Sequence, residues 1–423
     1  MLGALILLLP FMHKGTPFSF LDALFTATSA LCVTGLAVVD TGTAFTRWGQ
    51  LAIMIFFQIG GLGILTLGVF LALASGRKVG FSERMRLQMQ INALQVGGVV
   101  RLLRTLLLTV FIAEASGAAL LYVRFAKLEG PFEGMFYAIF HSISAFNNAG
   151  FALYSDSLMQ FVADPLVNFT VIALILVGGL GFFVVADLSS RFSRARRAPL
   201  SLHTKLVVFS SLVLLLFGFM FFLIVEWNNP ATLHEKSLGT KLLASLFQAV
   251  TPRTAGFNTV DYNSMELPTL LVSILLMFIG ANPGSTGGGI KTVTVFVIVG
   301  SAWSIIRGQG ELKLFGRRVA TPTVMRAGVI ALTGAILVGA ALTLLTLTDA
   351  NLPFRDLFFE AVSAFATVGL SVGITAELSA SGKVIIIVLM YLGRVGLLTA
   401  ALALVSEDRS DSIRYPAEEV IIG

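Results

Sequence analysis

Four short segments of this chain repeat one another. They read LFTATSALCVTGL (24–36), IFHSISAFNNAGF (139–151), SLFQAVTPRTAGF (245–257) and FFEAVSAFATVGL (358–370). Each closes on a glycine followed by Leu or Phe, and these glycines (Gly35, Gly150, Gly256 and Gly369) recur roughly every 110 residues, the mark of an internal repeat. Ten positions before each stand Phe25, Phe140, Leu246 and Phe359; six before stand Ser29, Ser144, Val250 and Ser363, a register that needs no gap. A second motif follows each glycine at a similar distance: IGGLG (59–63), VGGLG (177–181), IGANPG (279–284) and LGRVG (392–396). Two motifs recurring four times in one order constrain the chain to four like units. In isolation, the paired glycines of the second motif read as close helix packing.

Composition says where the units sit. Hydrophobic residues make up 56% of the chain and charged residues only 12%, against about 25% charged in ordinary soluble domains. Phe outnumbers Tyr 35 to 6. That leaves too little polar surface for water, which excludes a soluble enzyme, a nucleic-acid binder and a disordered protein. The one Cys excludes an intramolecular disulfide framework. Apolar runs long enough to span a bilayer fall near 48–75, 99–123, 164–188, 204–226, 267–306, 322–348 and 381–405. Leu2 to Phe11 is too short and reads as the tail of a span. The run 267–306 is rich in Gly, Ser and Thr at its middle and reads as one broken helix. The expected fold is an all-α polytopic membrane protein, with four pseudo-symmetric helix–re-entrant loop–helix repeats around one central pore. The repeats occupy 1–75, 99–188, 204–306 and 322–405, followed by a short tail, 406–423.

Charge orients the spans. The connections 76–104, 189–205 and 307–326 hold more than half of the 29 basic residues, including Arg77, Lys78, Arg84, Arg86, Arg194, Arg196, Arg197, Arg317 and Arg318, against the acids Glu83 and Glu311. The opposite connections carry Asp22, Asp40, Glu129, Glu133, Asp156, Asp261, Asp349 and Asp356. The positive-inside rule places the basic loops and the tail in the cytoplasm of a multi-pass protein of the cell (inner) membrane. The net charge of +6 is thus a topology signal, not a nucleic-acid footprint.

The repeated loops suit a dehydrated alkali cation. Non-helical backbone survives at membrane depth only where it is buried or lines water, and four such loops converge on one axis. Glycine reaches backbone angles that let successive carbonyls point one way, and a ring of inward carbonyls replaces an ion's hydration shell. The candidate filter is Val33-Thr34-Gly35, Asn148-Ala149-Gly150, Thr254-Ala255-Gly256 and Thr367-Val368-Gly369. Each preceding short helix aims its negative end at the axis. Asp22 and Asp356 fall in first turns of these helices, where a carboxylate stabilises the dipole. His141 and Cys32 beside the filter read as structural. Arg253 adjoins a triplet and is expected to turn away, toward a carbonyl or carboxylate.

The third unit differs. Its second span is interrupted by Asn282-Pro283-Gly284-Ser285-Thr286-Gly287-Gly288-Gly289-Ile290-Lys291-Thr292. Pro283 removes a backbone donor, and a helix broken at this depth must border a cavity. The expectation is a mobile plug under the filter, with Lys291 hindering cations or anchoring the loop. Arg394 stands where the first two units have Gly61 and Gly179; an intramembrane arginine is costly and usually functional. Gly284 to Thr292 is no nucleotide-binding loop, because Ile290 separates Gly289 from Lys291.

These residues resemble the Trk/Ktr/HKT superfamily of cation transporters, and within it the Ktr-type potassium-translocating membrane subunits. The resemblance covers nearly the whole chain and is most specific in TSALCVTGL, FNNAGF, TPRTAGFNT, ATVGL, GSTGGGIKT and RYPAEEVIIG. It implies a selectivity filter at the four glycines, an intramembrane gate at Asn282 to Thr292, and Arg394 beside it. It implies a homodimer in the lipid bilayer with one pore per subunit, and a cytosolic ring of nucleotide-binding RCK subunits (the KtrA type). The nucleotide belongs to that ring and not to this chain. It implies potassium as the transported ion and sodium as an activator. Some relatives with Ser at the first filter glycine pass sodium, so Gly35 points to potassium. The alternative is a secondary transporter coupling potassium to sodium or protons, which usually rests on inverted repeats; here the repeats run parallel. An enzyme would need paired acids, and Glu114 and Glu226 stand alone.

Overall fold

The computed structural model describes residues 1–15, 18–63, 99–192 and 199–395. Several expectations lie outside these residues: the end of the run 48–75, the basic residues Arg77 to Arg86 with Glu83, Arg194 to Arg197, the end of the last span and the tail.

After a six-residue helix α1 (Leu2–Leu7), helix α2 (Phe20–Leu31) starts on a capping box. The Asp22 amide donates to Ser19 Oγ at 3.1 Å and the Ser19 amide to Asp22 Oδ2 at 3.3 Å, satisfying two donors that a helix start leaves open. A one-turn α3 (Thr41–Ala44), capped by Asp40, and α4 (Arg47–Leu62) follow. The next quarter holds α5 (Val99–Glu129), α6 (Pro131–Phe146), α7 (Pro165–Gly179) and α8 (Phe182–Phe192). The chain reverses between α5 and α6 at Gly130 alone, with φ +82, an angle glycine adopts without strain. Then come α9 (Leu202–Val225), α10 (Leu238–Val250), α11 (Leu267–Phe278) and α12 (Thr292–Ile306). A basic hairpin, β1 (Lys313–Leu314) with β2 (Arg317–Arg318), leads to α13 (Thr321–Thr348), α14 (Phe354–Ala366) and α15 (Ala380–Val395).

Three described helices are each long and apolar enough to cross a membrane: Leu106–Glu129 within α5, α9 and α13. Their outward faces carry Phe111, Ile224 and Leu332, all more than half exposed. Such a surface has a favourable neighbour only in lipid. Of the short helices α2, α6, α10 and α14, the last is buried almost throughout, polar Glu360 and Ser363 included. The chain is an all-α polytopic membrane protein with its polar groups inside.

One expectation is corrected. The run 164–188 reads as a continuous span, but α7 and α8 meet at 97°. Gly181, at φ +90, makes the turn. The freed amide of Phe182 donates to the Gly284 carbonyl at 2.9 Å. The second quarter is therefore broken opposite the break in the third, and each break supplies the other's missing partner. The two ends of the chain's course also meet: Lys383 Nζ on α15 pairs with Asp22 Oδ1 on α2 at 2.9 Å.

Candidate functional site: a four-part ring and the loop beneath it

Each short helix ends in a turn that starts its triplet. Val33, Asn148, Thr254 and Thr367 have φ of +58, +57, +73 and +51, and the closing Gly35, Gly150, Gly256 and Gly369 have +96, +70, +79 and +88. A left-handed residue at the first and third place of every triplet is uncommon for non-glycine residues, and here it occurs four times in register. The glycines close a ring. A Cβ on Gly35 would lie 3.0 Å from Gly150 Cα; one on Gly150, 3.0 Å from Gly256 Cα; one on Gly256, 3.4 Å from Gly369 Cα; one on Gly369, 2.9 Å from Gly35 Cα. Every quarter thus abuts the next, and a side chain at any of the four is both strained and crowded. Thr34 Oγ1, Asn148 Oδ1 and Thr367 Oγ1 are buried here without a protein partner. Outside the ring, a cavity of about 330 Å³ is lined by all four glycines and by Asp40, Asn258, Ser371 and Thr375.

Hydrogen bonds brace the turns. The amides of Thr34, Ala149 and Val368 donate to the carbonyls of Ser29, Ser144 and Ser363 at 2.8, 2.8 and 2.9 Å. Ser144 Oγ donates to the Phe151 carbonyl at 2.8 Å. In the third quarter Thr251 does both jobs: its carbonyl accepts from the Ala255 amide at 2.9 Å and its hydroxyl donates to the Phe257 carbonyl. The gapless register, which aligned Val250 with the serines, is therefore off by one residue there. The bracing carbonyl stands five residues before its amide in three quarters and four before it in the third, whose loop is one residue tighter.

The loop Asn282 to Thr292 lies directly below. A Cβ on Gly287 would come within 2.9 Å of Thr254 Cβ, one on Gly288 within 3.1 Å of Thr367 Cβ, and one on Gly289 within 3.2 Å of Ala366 Cα. The three bare glycines are what let a backbone press against the ring's underside. Lys291 Nζ donates back to the Gly287 and Gly288 carbonyls at 2.6 and 3.4 Å, closing a turn within the loop. The Thr286 amide donates to the Gly178 carbonyl at 3.3 Å. Arg394 reaches in from α15 and donates to the carbonyls of Thr286 on the loop and Gly60 on α4. Ser285 Oγ donates to the Asn282 carbonyl at 2.6 Å; Pro283 and Gly284 complete the turn, and Ile290 forms a bridge with Ile279. Arg253 turns to Ser211 of α9, as expected of it.

The first glycines of the second motif have a packing role. A Cβ on Gly60, Gly178 or Gly393 would strike the carbonyl of Leu31, Phe146 or Phe365, at the C-terminal end of the short helix. On Gly280 it would strike Gly288 of the loop instead. His141 is structural too: its Nδ1 bonds the Tyr137 carbonyl at 2.8 Å and its Nε2 accepts the Leu153 amide at 3.2 Å.

Two polar clusters beside the ring have no sequence signal. Glu114 of α5 accepts from Gln58 Nε2 at 3.0 Å and Asn147 Nδ2 at 3.2 Å. Glu360 of α14 accepts from the hydroxyls of Thr375 and Ser371 at 2.5 and 2.8 Å. Partners this far along the chain leave no local motif.

A membrane-embedded helical ring of four re-entrant turns belongs to the class of proteins that conduct or carry ions, not to enzymes. The chain is a member of the TrkH family of cation transport proteins, whose family model matches residues 4–414. It is 44% identical to the Ktr system potassium uptake protein B of Bacillus subtilis, over all of this chain and 94% of that one. It is 43% identical to the protein of the same description from Vibrio alginolyticus, over all of this chain and 92% of that one. With the potassium/sodium uptake protein NtpJ of Enterococcus hirae it shares 36% identity, over all of this chain and 94% of that one. The crystal structure of the potassium transporter TrkH from Vibrio parahaemolyticus has the same fold, with a TM-score of 0.71 over 92% of this chain and 79% of that one, at 19% identity.

Proposed function

We propose that this chain is the pore-forming subunit of a potassium uptake system. The observation that carries the reading is the ring: four triplets with the same pair of positive φ values, closed on four glycines. Alternating left-handed and ordinary residues turns successive carbonyls toward one line, where they replace the water of an alkali cation. The names of the Bacillus and Vibrio relatives support potassium as the ion. The Enterococcus name, which includes sodium, makes selectivity the property to measure.

In this reading Asn282 to Thr292 is the gate. It occludes the ring from below; Arg394 holds it closed by donating to the Thr286 carbonyl, and Lys291 stiffens its end by donating to the Gly287 and Gly288 carbonyls. Their charges also hinder a cation that has crossed the ring. A cytosolic RCK-type ring, which carries the regulatory nucleotide, shifts the loop. The chain works as a homodimer in the plasma membrane with its basic loops inside, each subunit with its own pore and four repeats as assigned from the sequence. Sodium acts as an activator.

Potassium and sodium flux into proteoliposomes, with this chain alone and then with the RCK partner, tests the reading. The expected result is potassium-selective flux down its gradient, altered by the partner. Flux that strictly requires a sodium or proton gradient would overturn it in favour of a coupled secondary transporter.

A further inference from the structure

Among the residues three places before the four glycines (Cys32, Asn147, Arg253 and Ala366), only Arg253 is charged. It belongs to the quarter whose loop lies beneath the ring. Arg253 is 7% exposed, and its Nε has no partner. Its two other nitrogens end on one residue of α9: Nη1 donates to the Ser211 carbonyl at 3.4 Å and Nη2 to the Ser211 hydroxyl at 3.1 Å.

The same hydroxyl meets the root of the loop. Asn282 Nδ2 lies 3.1 Å from Ser211 Oγ and Oδ1 lies 3.3 Å from it. A hydroxyl has one proton and two lone pairs, so it accepts from Arg253 and still bonds Asn282 through either amide atom. Asn282 is itself a clasp. Its Nδ2 donates to the Gly179 carbonyl at 2.8 Å, and its Oδ1 accepts from the Thr292 hydroxyl at the loop's far end. A small cavity of about 30 Å³, lined in part by Gly179, Ser211, Arg253, Ala281 and Asn282, adjoins the junction. A space of that size is enough to hold a water beside the junction.

We infer that Ser211 is a positioning residue that ties the third filter segment to the root of the gate loop, so that the position of the loop sets the geometry of Thr254 to Gly256. Arg253 has no carboxylate among its hydrogen-bond partners to hold it independently of the loop. Moving Asn282 changes what the hydroxyl offers it, and Arg253 is bonded directly to Thr254 in the chain. The inference rests on the reading of Asn282 to Thr292 as the gate. It makes ion selectivity depend on the state of the gate through one hydroxyl.

The test is a cycle of potassium and sodium flux measurements in proteoliposomes, on the full chain and on a chain with Gly287 to Gly289 shortened. Ser211→Ala in the full chain is expected to change the potassium-to-sodium flux ratio about tenfold, the scale of a lost hydrogen bond to a charged group. Ser211→Thr, which keeps the hydroxyl, is expected to restore it. In the shortened chain Ser211→Ala is expected to change the ratio less, because only the direct bond to Arg253 is then lost and not its coupling to an intact loop. An equal change in both backgrounds, or no change in either, overturns the inference. Arg253→Lys, whose head cannot hold the same fork, runs the same cycle should the alanine variant not fold. Failure of the gate reading shows separately, as basal flux that shortening the loop leaves unchanged whatever stands at position 211.

Discussion

The ring and the layer just beneath it follow opposite rules. In the ring the side chains differ, Val-Thr, Asn-Ala, Thr-Ala and Thr-Val, yet the backbone angles repeat in all four quarters. One level down, the first glycine is shared by all four (Gly60, Gly178, Gly280, Gly393), but its neighbour is Gly61, Gly179, Ala281 or Arg394. Three of those glycines rest on the end of a short helix, and the fourth rests on the loop. Surrounding a spherical ion needs four equal contributions. Opening and closing needs one part that moves and one that holds it, and four copies of either would obstruct each other.

The largest effect is expected in the ring. Serine at Gly35, Gly150, Gly256 or Gly369 meets a positive φ that costs about 1–3 kcal/mol. Each substitution should lower potassium-over-sodium selectivity about tenfold or more by flux competition, and to similar degrees. One silent position among the four would break the fourfold side of the comparison. Next comes the loop: shortening Gly287 to Gly289 should raise basal potassium flux several-fold without the partner, and equal or lower flux in a well-folded deletion would sink the plug. Arg394→Ala loses two charged hydrogen bonds, on the order of 1.5–3 kcal/mol each. It should raise flux less than the loop deletion does, because the Thr286 amide still bonds the Gly178 carbonyl; flux at the wild-type level would leave Arg394 a structural role alone. The smallest effect sharpens the contrast among the lower glycines. Gly178→Ala should cost about 1–3 kcal/mol of stability, read as a lower melting temperature in detergent. Gly280→Ala, pressed on the loop and not on a helix end, should cost less and, if the loop is the gate, change flux instead. Equal destabilisation by both would remove the distinction.

How legible these layers were in the sequence follows the same division. The four triplets could be read because a left-handed backbone favours glycine, a preference that marks Gly35 and its three counterparts, whereas the left-handed Val33, Asn148, Thr254 and Thr367 carry no such mark. The loop could be read because Pro283 and the three glycines cannot continue a helix. The bend between α7 and α8 could not. Gly181 sat in plain view within VGGLG, but an apolar run looks the same whether its glycine packs or turns. The one-residue shift at Thr251 was hidden because a gapless alignment matches positions and not hydrogen bonds. The partners of Glu114 and Arg253 come from other helices, and those of Glu360 from the segment 11 to 15 residues further on; only the folded chain brings them together. For Lys291 the sequence offers an anchor or a hindrance to cations; its contacts to the Gly287 and Gly288 carbonyls fit the first and leave the second open.

The ion pair between Asp22 and Lys383 has a consequence for biosynthesis. The ring is drawn by one chain, and its first and last quarters are joined 361 residues apart. A chain still being made has no α15, so until its last quarter emerges Asp22 lacks the Lys383 partner and the edge of the first quarter has no fourth quarter to close against.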